Sequence, residues 1–177
     1  MAARLNVLGL LGLTAVQLGG YWFQFSLGEL PCPLCLLQRV AFAMVSFGFL
    51  LNVRFGGRPA HYGIILLSAL YGMIVSGRQT LLHIVPGTGA YGSAIFGMHF
   101  YTWAFLLFGT TIFATAVLLV LERGSRAEGR QGTAWASLVM LAAIGVTAAN
   151  AITTLVECGP IECPDNPMTY WLLQINR

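Results

Sequence analysis

The stretch Pro31-Cys32-Pro33-Leu34-Cys35-Leu36-Leu37-Gln38-Arg39 places two cysteines directly before a long apolar run. The run that opens at Leu36 predicts a membrane-spanning helix, so the cysteine pair lies at a helix N-terminus on a membrane surface. Helix N-termini carry a partial positive charge and unpaired N–H groups, which stabilise a thiolate. Arg39 follows Cys35 by one helical turn and adds a fixed positive charge. This pattern indicates a redox centre or a metal ligand set.

The composition indicates an integral membrane protein. Of the 177 residues, 57% are hydrophobic and only 8% are charged, whereas an average soluble domain has about 25% charged residues. The length is that of one compact domain. The net charge of +3 comes from arginines at predicted helix ends, with no lysine, so the sequence does not favour nucleic acid as a partner.

Five apolar segments are long enough to cross a membrane: Leu5–Leu27, Leu36–Val53, Tyr62–Val85, Phe100–Leu121 and Thr133–Leu155. A signal peptide is the alternative for the first segment, but the segment is longer than a typical signal-peptide core and has no obvious cleavage site. We therefore predict an all-α integral membrane helix bundle with four core helices plus a fifth transmembrane helix. The predicted transmembrane domain covers residues 1–155 and a C-terminal tail covers residues 156–177.

The arginines predict the orientation of the bundle. With a cytoplasmic N-terminus, one side holds Arg4, Arg54, Arg58, Arg123, Arg126 and Arg130, and the other holds Arg39, Arg78 and Arg177. The positive-inside rule therefore favours a cytoplasmic N-terminus. All four cysteines then lie on the non-cytoplasmic face.

Cysteines on that face can persist as disulfides in an oxidising compartment such as the bacterial periplasm. Cys158 and Cys163 are separated by Gly-Pro-Ile-Glu, and Gly159-Pro160 can supply the turn that lets the two sulfurs meet. We predict a disulfide between them. From the spacing alone, a structural disulfide that pins the tail is as good an interpretation as a redox pair.

The Cys32–Cys35 pair has two alternatives to redox chemistry. A structural disulfide adds little stability in so short a loop. Zinc needs a closed set of four ligands, which the two cysteine pairs could supply together, and a soft ion also suits thiolates. The pattern favours redox chemistry, with a metal-handling or thiol-sensing membrane protein as the alternative and a non-enzymatic stapled bundle as the third hypothesis. Arg39 and His83 have a simpler interpretation as interfacial anchors.

Trp22-Phe23-Gln24, seven further residues, the Cys32–Cys35 motif and Arg39 together resemble the bacterial DsbB family of membrane disulfide-generating quinone reductases. The resemblance covers the first two spans closely and the topology of the next two more loosely. It implies a thiol:quinone oxidoreductase of the bacterial inner membrane. It also implies a bound quinone, ubiquinone or menaquinone, and a periplasmic thioredoxin-like partner of the DsbA type.

The resemblance also implies roles for individual residues. The first pair, Cys32 and Cys35, passes electrons to the quinone, with Cys35 facing it and Arg39 helping to bind it. Gln24 matches a family glutamine near the same site, and His83 matches a quinone-side histidine.

The sequence departs from the best-known members of that family in one respect. Those members carry their second cysteine pair between the third and fourth spans, but the corresponding loop here, Pro86–His99, has no cysteine. The pair Cys158 and Cys163 instead follows a fifth span that four-helix members lack. Because both pairs lie on the same predicted side, we expect the tail pair to receive electrons from the soluble partner and to pass them to Cys32 and Cys35.

Overall fold

A computed structural model describes residues 2–121 and 134–174 of the protein. The helices are α1 (Ala2–Ser26), α2 (Pro33–Phe55), α3 (Pro59–Leu82), α4 (Phe100–Leu121), α5 (Ala134–Cys158) and the short α6 (Trp171–Gln174). Strands β1 (Ala94–Ile95) and β2 (Met98–His99) form an antiparallel hairpin between α3 and α4. The predicted all-α fold class is confirmed.

Four helices, α2 to α5, are long and apolar enough to cross a membrane, so the protein is an integral membrane helix bundle. Helix α1 has 25 residues, but Asn6, Gln17 and Gln24 reduce its apolar character. All three side chains are buried inside the bundle. The membrane crossing of α1 therefore stays a prediction.

Helices α1 and α3 each begin three residues before the predicted start, and α3 ends at Leu82 rather than Val85. Two further differences involve cysteines. Helix α2 begins at Pro33 rather than Leu36, because Cys32 is its N-cap and proline suits the first helical position. Helix α5 continues through Cys158, which was assigned to the tail. It stops there because Gly159 adopts a φ of 64° and its N–H bonds to the carbonyl of Leu155 at 2.8 Å.

Helices α2, α3 and α4 form the tightly packed part of the bundle. Phe108 on α4 lies directly against Gly72 on α3, where any added side chain would collide with the ring. The same ring stacks on Phe42 of α2 with the centroids 4.2 Å apart. Helix α1 packs on α2, and α5 packs on α1 and α2. Helices α1 and α4 contact each other through Phe23 and Phe100, whose ring centroids lie 4.5 Å apart.

A buried polar cluster aligns three helices at the end of the bundle away from the cysteines. The Asn52 side-chain amide donates to Asn6 Oδ1 at 2.9 Å, and the Asn6 amide donates to the Tyr62 hydroxyl at 2.9 Å. These residues belong to α2, α1 and α3 in turn. Hydrogen bonds between buried polar groups fix the helices in one register, which in turn fixes the positions of their opposite ends.

The other end carries Cys32, Cys35, Cys158 and Cys163 and is called the cysteine end below. The tail folds back over it: the ring of Trp171 packs on Gly159, and the Tyr170 hydroxyl accepts a hydrogen bond from the Gln24 amide at 3.1 Å. The predicted loop Glu122–Gly132, with Arg123, Arg126 and Arg130, lies outside the described residues, as do Thr133 and Arg177.

Candidate redox site

Cys32 and Cys35 form a disulfide at the start of α2, with their Cα atoms 5.0 Å apart. Cys32 is the N-cap residue, and its sulfur accepts a hydrogen bond from the backbone N–H of Cys35 at 3.2 Å. The first turn of the helix therefore directs an N–H group and the positive end of its dipole at the sulfur atoms. This environment stabilises the negative charge that appears on sulfur when the disulfide is reduced.

Gln79 on α3 is a second source of hydrogen bonds to this disulfide. Its Nε2 lies 3.2 Å from the sulfur of Cys32 and 3.5 Å from that of Cys35. The Gln38 amide donates to Gln79 Oε1 at 2.7 Å, which orients the Gln79 amide with its N–H groups toward sulfur. Gln79 is only 1% exposed, so these bonds lie in a low-dielectric environment where they are strong.

A cavity of about 440 Å³ opens between α1, α2 and α4. Cys35 and Arg39 lie on its wall, while Cys32 does not. Most of the remaining wall is apolar and comes from all three helices and the hairpin, including Val16, Phe23, Phe42, Ile95, Phe100 and Leu107. The rings of Phe23 on α1 and Phe100 on α4 lie edge to face with their centroids 4.5 Å apart, and both rings line the cavity.

Arg39 is held by side chains from α1 and α5. Its Nη1 donates to Gln24 Oε1 at 2.7 Å and to Asn150 Oδ1 at 3.5 Å. The guanidinium carbon lies 5.4 Å from the centroid of the Tyr21 ring, within the range of a cation–π contact. Arg39 is therefore fixed in place rather than extended toward the membrane surface.

The loop between α3 and α4 covers the cavity at the cysteine end. The hydroxyl of Tyr91 donates to the Leu30 carbonyl at 2.5 Å, and Trp103 Nε1 donates to the Ile95 carbonyl at 3.0 Å. Glu29 accepts from the Ser93 N–H at 3.0 Å and from its hydroxyl. Burial raises the pKa of Tyr91, and the charges of Glu157 and Glu29 raise it further, so the hydroxyl stays protonated and keeps its bond to Leu30.

Gln24 and His83, the other two residues predicted near the quinone, occupy different positions relative to the cavity. Gln24 is buried and bonds Arg39, but it does not lie on the cavity wall. His83 lies at the C-cap of α3, also off the wall, with its ring centroid 5.3 Å from that of Tyr101. Tyr101 itself lines the cavity. Gln24 can therefore act on the site through Arg39, and His83 only from behind Tyr101.

Cys158 and Cys163 form the predicted disulfide, with a Cα–Cα distance of 4.8 Å. Cys158 is buried at the end of α5, while Cys163 is partly exposed. Within residues 2–121 and 134–174, no group of three or more histidine, cysteine or acidic side chains is arranged to hold a metal ion. The described cysteines are thus paired with each other as two disulfides at one end of the bundle.

Fold and site together define a class: a multi-pass helical membrane protein with a disulfide at a helix N-terminus beside an apolar cavity. The family model for disulfide bond formation protein DsbB matches residues 2–90. This match covers just over half of the chain, and the chain belongs to the DsbB family. The matched part includes α1, α2 and α3, and therefore Cys32, Cys35, Arg39 and Gln79. The second cysteine pair lies beyond it.

Curated relatives named disulfide bond formation protein B support this assignment. The protein of Nitrosomonas eutropha is 40% identical over 83 residues, which is 44% of this chain and 51% of the relative. That of Aromatoleum aromaticum is 37% identical over 90 residues, or 48% and 54% of the two chains. The matched segment spans about half the length of these relatives. No solved structure matches the chain significantly.

Three residues of the site escaped the sequence analysis: Gln79, Asn150 and Glu157. Gln79 lies 44 residues after Cys35, and Asn150 lies 111 residues after Arg39, so no local spacing connects them to the motif. The sequence did offer one signal for Gln79 and Asn150: each is a polar residue within an otherwise apolar span, and such residues face the bundle interior and carry function.

Replacing Gln79 with leucine should make the Cys32–Cys35 disulfide harder to reduce. The lost hydrogen bond to a charged sulfur amounts to about 1.5–3 kcal/mol, which corresponds to a reduction potential lower by roughly 30–60 mV. The potential is measured in quinone-free protein without tail cysteines, against thiol redox buffers. Ser76→Ala is the control, since Ser76 is buried on the same helix and bonds only backbone carbonyls of its own helix. Equal potentials in Gln79→Leu and the native protein would contradict this role.

Proposed function

We propose that the protein is a thiol:quinone oxidoreductase that generates disulfides and passes the electrons to a membrane quinone. One observation carries the proposal: Cys35, half of a disulfide at a helix N-terminus, lies on the wall of an apolar cavity together with a fixed arginine. The alternative, a metal-handling or thiol-sensing protein, would bind a soft ion through the same cysteines as free thiolates, and stoichiometric copper or zinc in the purified protein would favour it.

The cavity residues fit a quinone. The volume of about 440 Å³ and the largely apolar wall suit a planar ring with an isoprenoid tail, and Arg39 would hold a ring oxygen. When bound, a quinone, either ubiquinone or menaquinone, supplies an acceptor for two electrons and two protons.

The chain's own residues set up the electron transfer. Reduction of the Cys32–Cys35 disulfide leaves negative charge on sulfur, which the α2 N-terminus, Gln79 and Arg39 stabilise. Cys35 is the donor, because it faces the cavity and Cys32 does not. Gln24 and Asn150 keep the Arg39 guanidinium on the wall. Strongly oxidising dithiol proteins have potentials near about −120 mV, so their reoxidation requires an acceptor stronger than another ordinary thiol.

The electrons enter, in this proposal, through Cys158 and Cys163 from a periplasmic thioredoxin-like protein of the DsbA type. Cys163 is the accessible sulfur of that pair and Cys158 the buried one. The tail contacts α1 through the bond between Gln24 and Tyr170, and Gln24 in turn bonds Arg39. The tail pair is thus attached to the residues that surround the first pair. The N-terminus is cytoplasmic and the cysteine end periplasmic in the inner membrane, as the arginine distribution favours.

Cys35→Ser should abolish quinone reduction with dithiothreitol as electron source, because the variant cannot form or re-form the Cys32–Cys35 disulfide. The protein should remain folded, since the disulfide closes too short a loop to contribute much stability. Absorbance of the quinone gives the rate, and circular dichroism checks the fold. Quinone reduction at the native rate by a folded Cys35→Ser protein would exclude Cys35 as the donor.

The relay through the tail predicts a different defect. A variant in which both Cys158 and Cys163 are alanine should lose oxidation of a DsbA-like protein. Cys163→Ala alone should trap a mixed disulfide of Cys158 with the first pair, and Cys158→Ala alone one of the accessible Cys163 with the soluble protein. Mass spectrometry of non-reduced peptides identifies the trapped bond. If the double variant oxidises the soluble protein as fast as the native protein does, the tail disulfide is structural.

A further inference from the structure

Among the buried side chains of residues 2–121 and 134–174, Glu157 is the only charged one, and it is 2% exposed. Neither of its carboxylate oxygens has a hydrogen-bond partner in the described part of the chain. Burying a carboxylate without hydrogen bonds is unfavourable unless a nearby positive charge or a bound proton compensates it. The surroundings of Glu157 determine which of the two applies.

Glu157 belongs to a polar stripe on α5 that faces the Arg39 site. It follows Asn150 by seven residues and Thr153 by four, so the three side chains lie on one face of the helix. Asn150 accepts a hydrogen bond from Arg39, and the hydroxyl of Thr153 lies 3.2 Å from that of Tyr21. Glu157 interacts electrostatically with Arg39. The carboxyl group is therefore a neighbour of the cation that the disulfide site uses.

Glu157 acts electrostatically on two ionisable groups, Arg39 on α2 and Tyr91 in the loop before β1. Tyr21 on α1 and Tyr170 in the tail interact in the same way with Arg39, and Glu29 with Tyr91. Arg39 is the only cation of this set. It can compensate one negative charge, and a second negative charge in the same low-dielectric region would remain uncompensated.

We propose that Glu157 takes up a proton when the Cys32–Cys35 disulfide is reduced and releases it when the electrons leave. With the disulfide intact, Arg39 compensates the Glu157 carboxylate. When a thiolate forms at the first pair, Arg39 compensates the thiolate instead, and the buried carboxylate becomes neutral by binding a proton. The role of this proton in electron transfer rests on the proposed function, although the protonation of Glu157 itself needs no quinone.

The step balances in electrons and protons. Oxidation of the Cys158 and Cys163 thiols to a disulfide releases two electrons and two protons. The Cys32–Cys35 S–S bond breaks and accepts the two electrons, one proton binds to one of its sulfurs, and the other proton binds to Glu157. When the S–S bond re-forms, two electrons and both protons leave for the quinone, which takes up two of each. Glu157, next to Cys158 in the sequence, thus stores the proton that the thiolate cannot hold.

The test is a reduced-minus-oxidised infrared difference spectrum of quinone-free full-length protein, with a phosphine as reductant. The expected signal is the C=O stretch of a newly protonated carboxylic acid, shifted in D₂O. It should disappear in Glu157→Gln and remain in the control Glu162→Gln, whose side chain is exposed. It should also remain when Cys158 and Cys163 are alanine and disappear when Cys32 and Cys35 are alanine.

A native protein without this band would overturn the proposal, as would a band that survives in Glu157→Gln or depends on the tail cysteines. If Glu157→Gln does not fold, native protein with carboxyl-¹³C glutamate decides instead: the band must shift with labelled glutamate and stay in place with labelled aspartate. Quinone reduction is assayed in parallel. Its absence in the native protein would refute the proposed function, while the infrared band would still decide the protonation of Glu157.

A second measurement separates proton uptake from a structural effect. If reduction of the first pair binds two protons, its equilibrium constant changes a hundredfold per pH unit, and its reduction potential shifts by about 59 mV. If reduction binds one proton, the constant changes tenfold and the potential shifts by about 30 mV. In protein without tail cysteines we expect the steeper dependence near neutral pH, and the shallower one in Glu157→Gln. The same slope in both proteins would contradict proton storage on Glu157.

Discussion

The positive charge of Arg39 inside a helix bundle is the constraint on which the rest of the site depends. A guanidinium in an apolar environment requires acceptors, and α1 and α5 provide them through Gln24 and Asn150. Helix α5 therefore packs where its polar stripe meets this charge, and Gln24 connects the same charge to Tyr170 of the tail. The position of the tail cysteines thus follows indirectly from this one cation.

The cavity follows from how the other helices pack. Phe108 lies against Gly72 and Phe42, which holds α4 close to α2 and α3. Helix α1 makes polar contacts with α2 and α5 and meets α4 at the rings of Phe23 and Phe100. A space remains beside Cys35, covered by the loop that Tyr91 and Glu29 attach to the chain between α1 and α2. In the proposed function, electron transfer takes place where the polar residues around Arg39 meet this apolar space.

The sequence could predict whatever depends on local spacing. The helical bundle, the cysteine pair at a helix N-terminus and Arg39 one turn later are all short-range patterns, and the structure has them. Gln79 could not be placed, because its hydrogen bonds to sulfur depend on the packing of α3 against α2. Glu157 was visible only as an acidic residue near the end of a span; its burial results from the packing of α5. Cys158 was assigned to the tail because no sequence signal before Gly159 marks the true end of α5.

Photo-crosslinking can show whether the cavity beside Cys35 binds quinone. An azido-quinone is added to the protein in lipid nanodiscs, the sample is irradiated, and the modified peptides are identified by mass spectrometry. If the cavity binds quinone, labels are expected on the cavity-facing parts of α1 and α4, around Phe23 and Leu107, and excess unlabelled quinone should remove them. Labels confined to the outer faces of α4 and α5, unaffected by competition, would contradict quinone binding in the cavity.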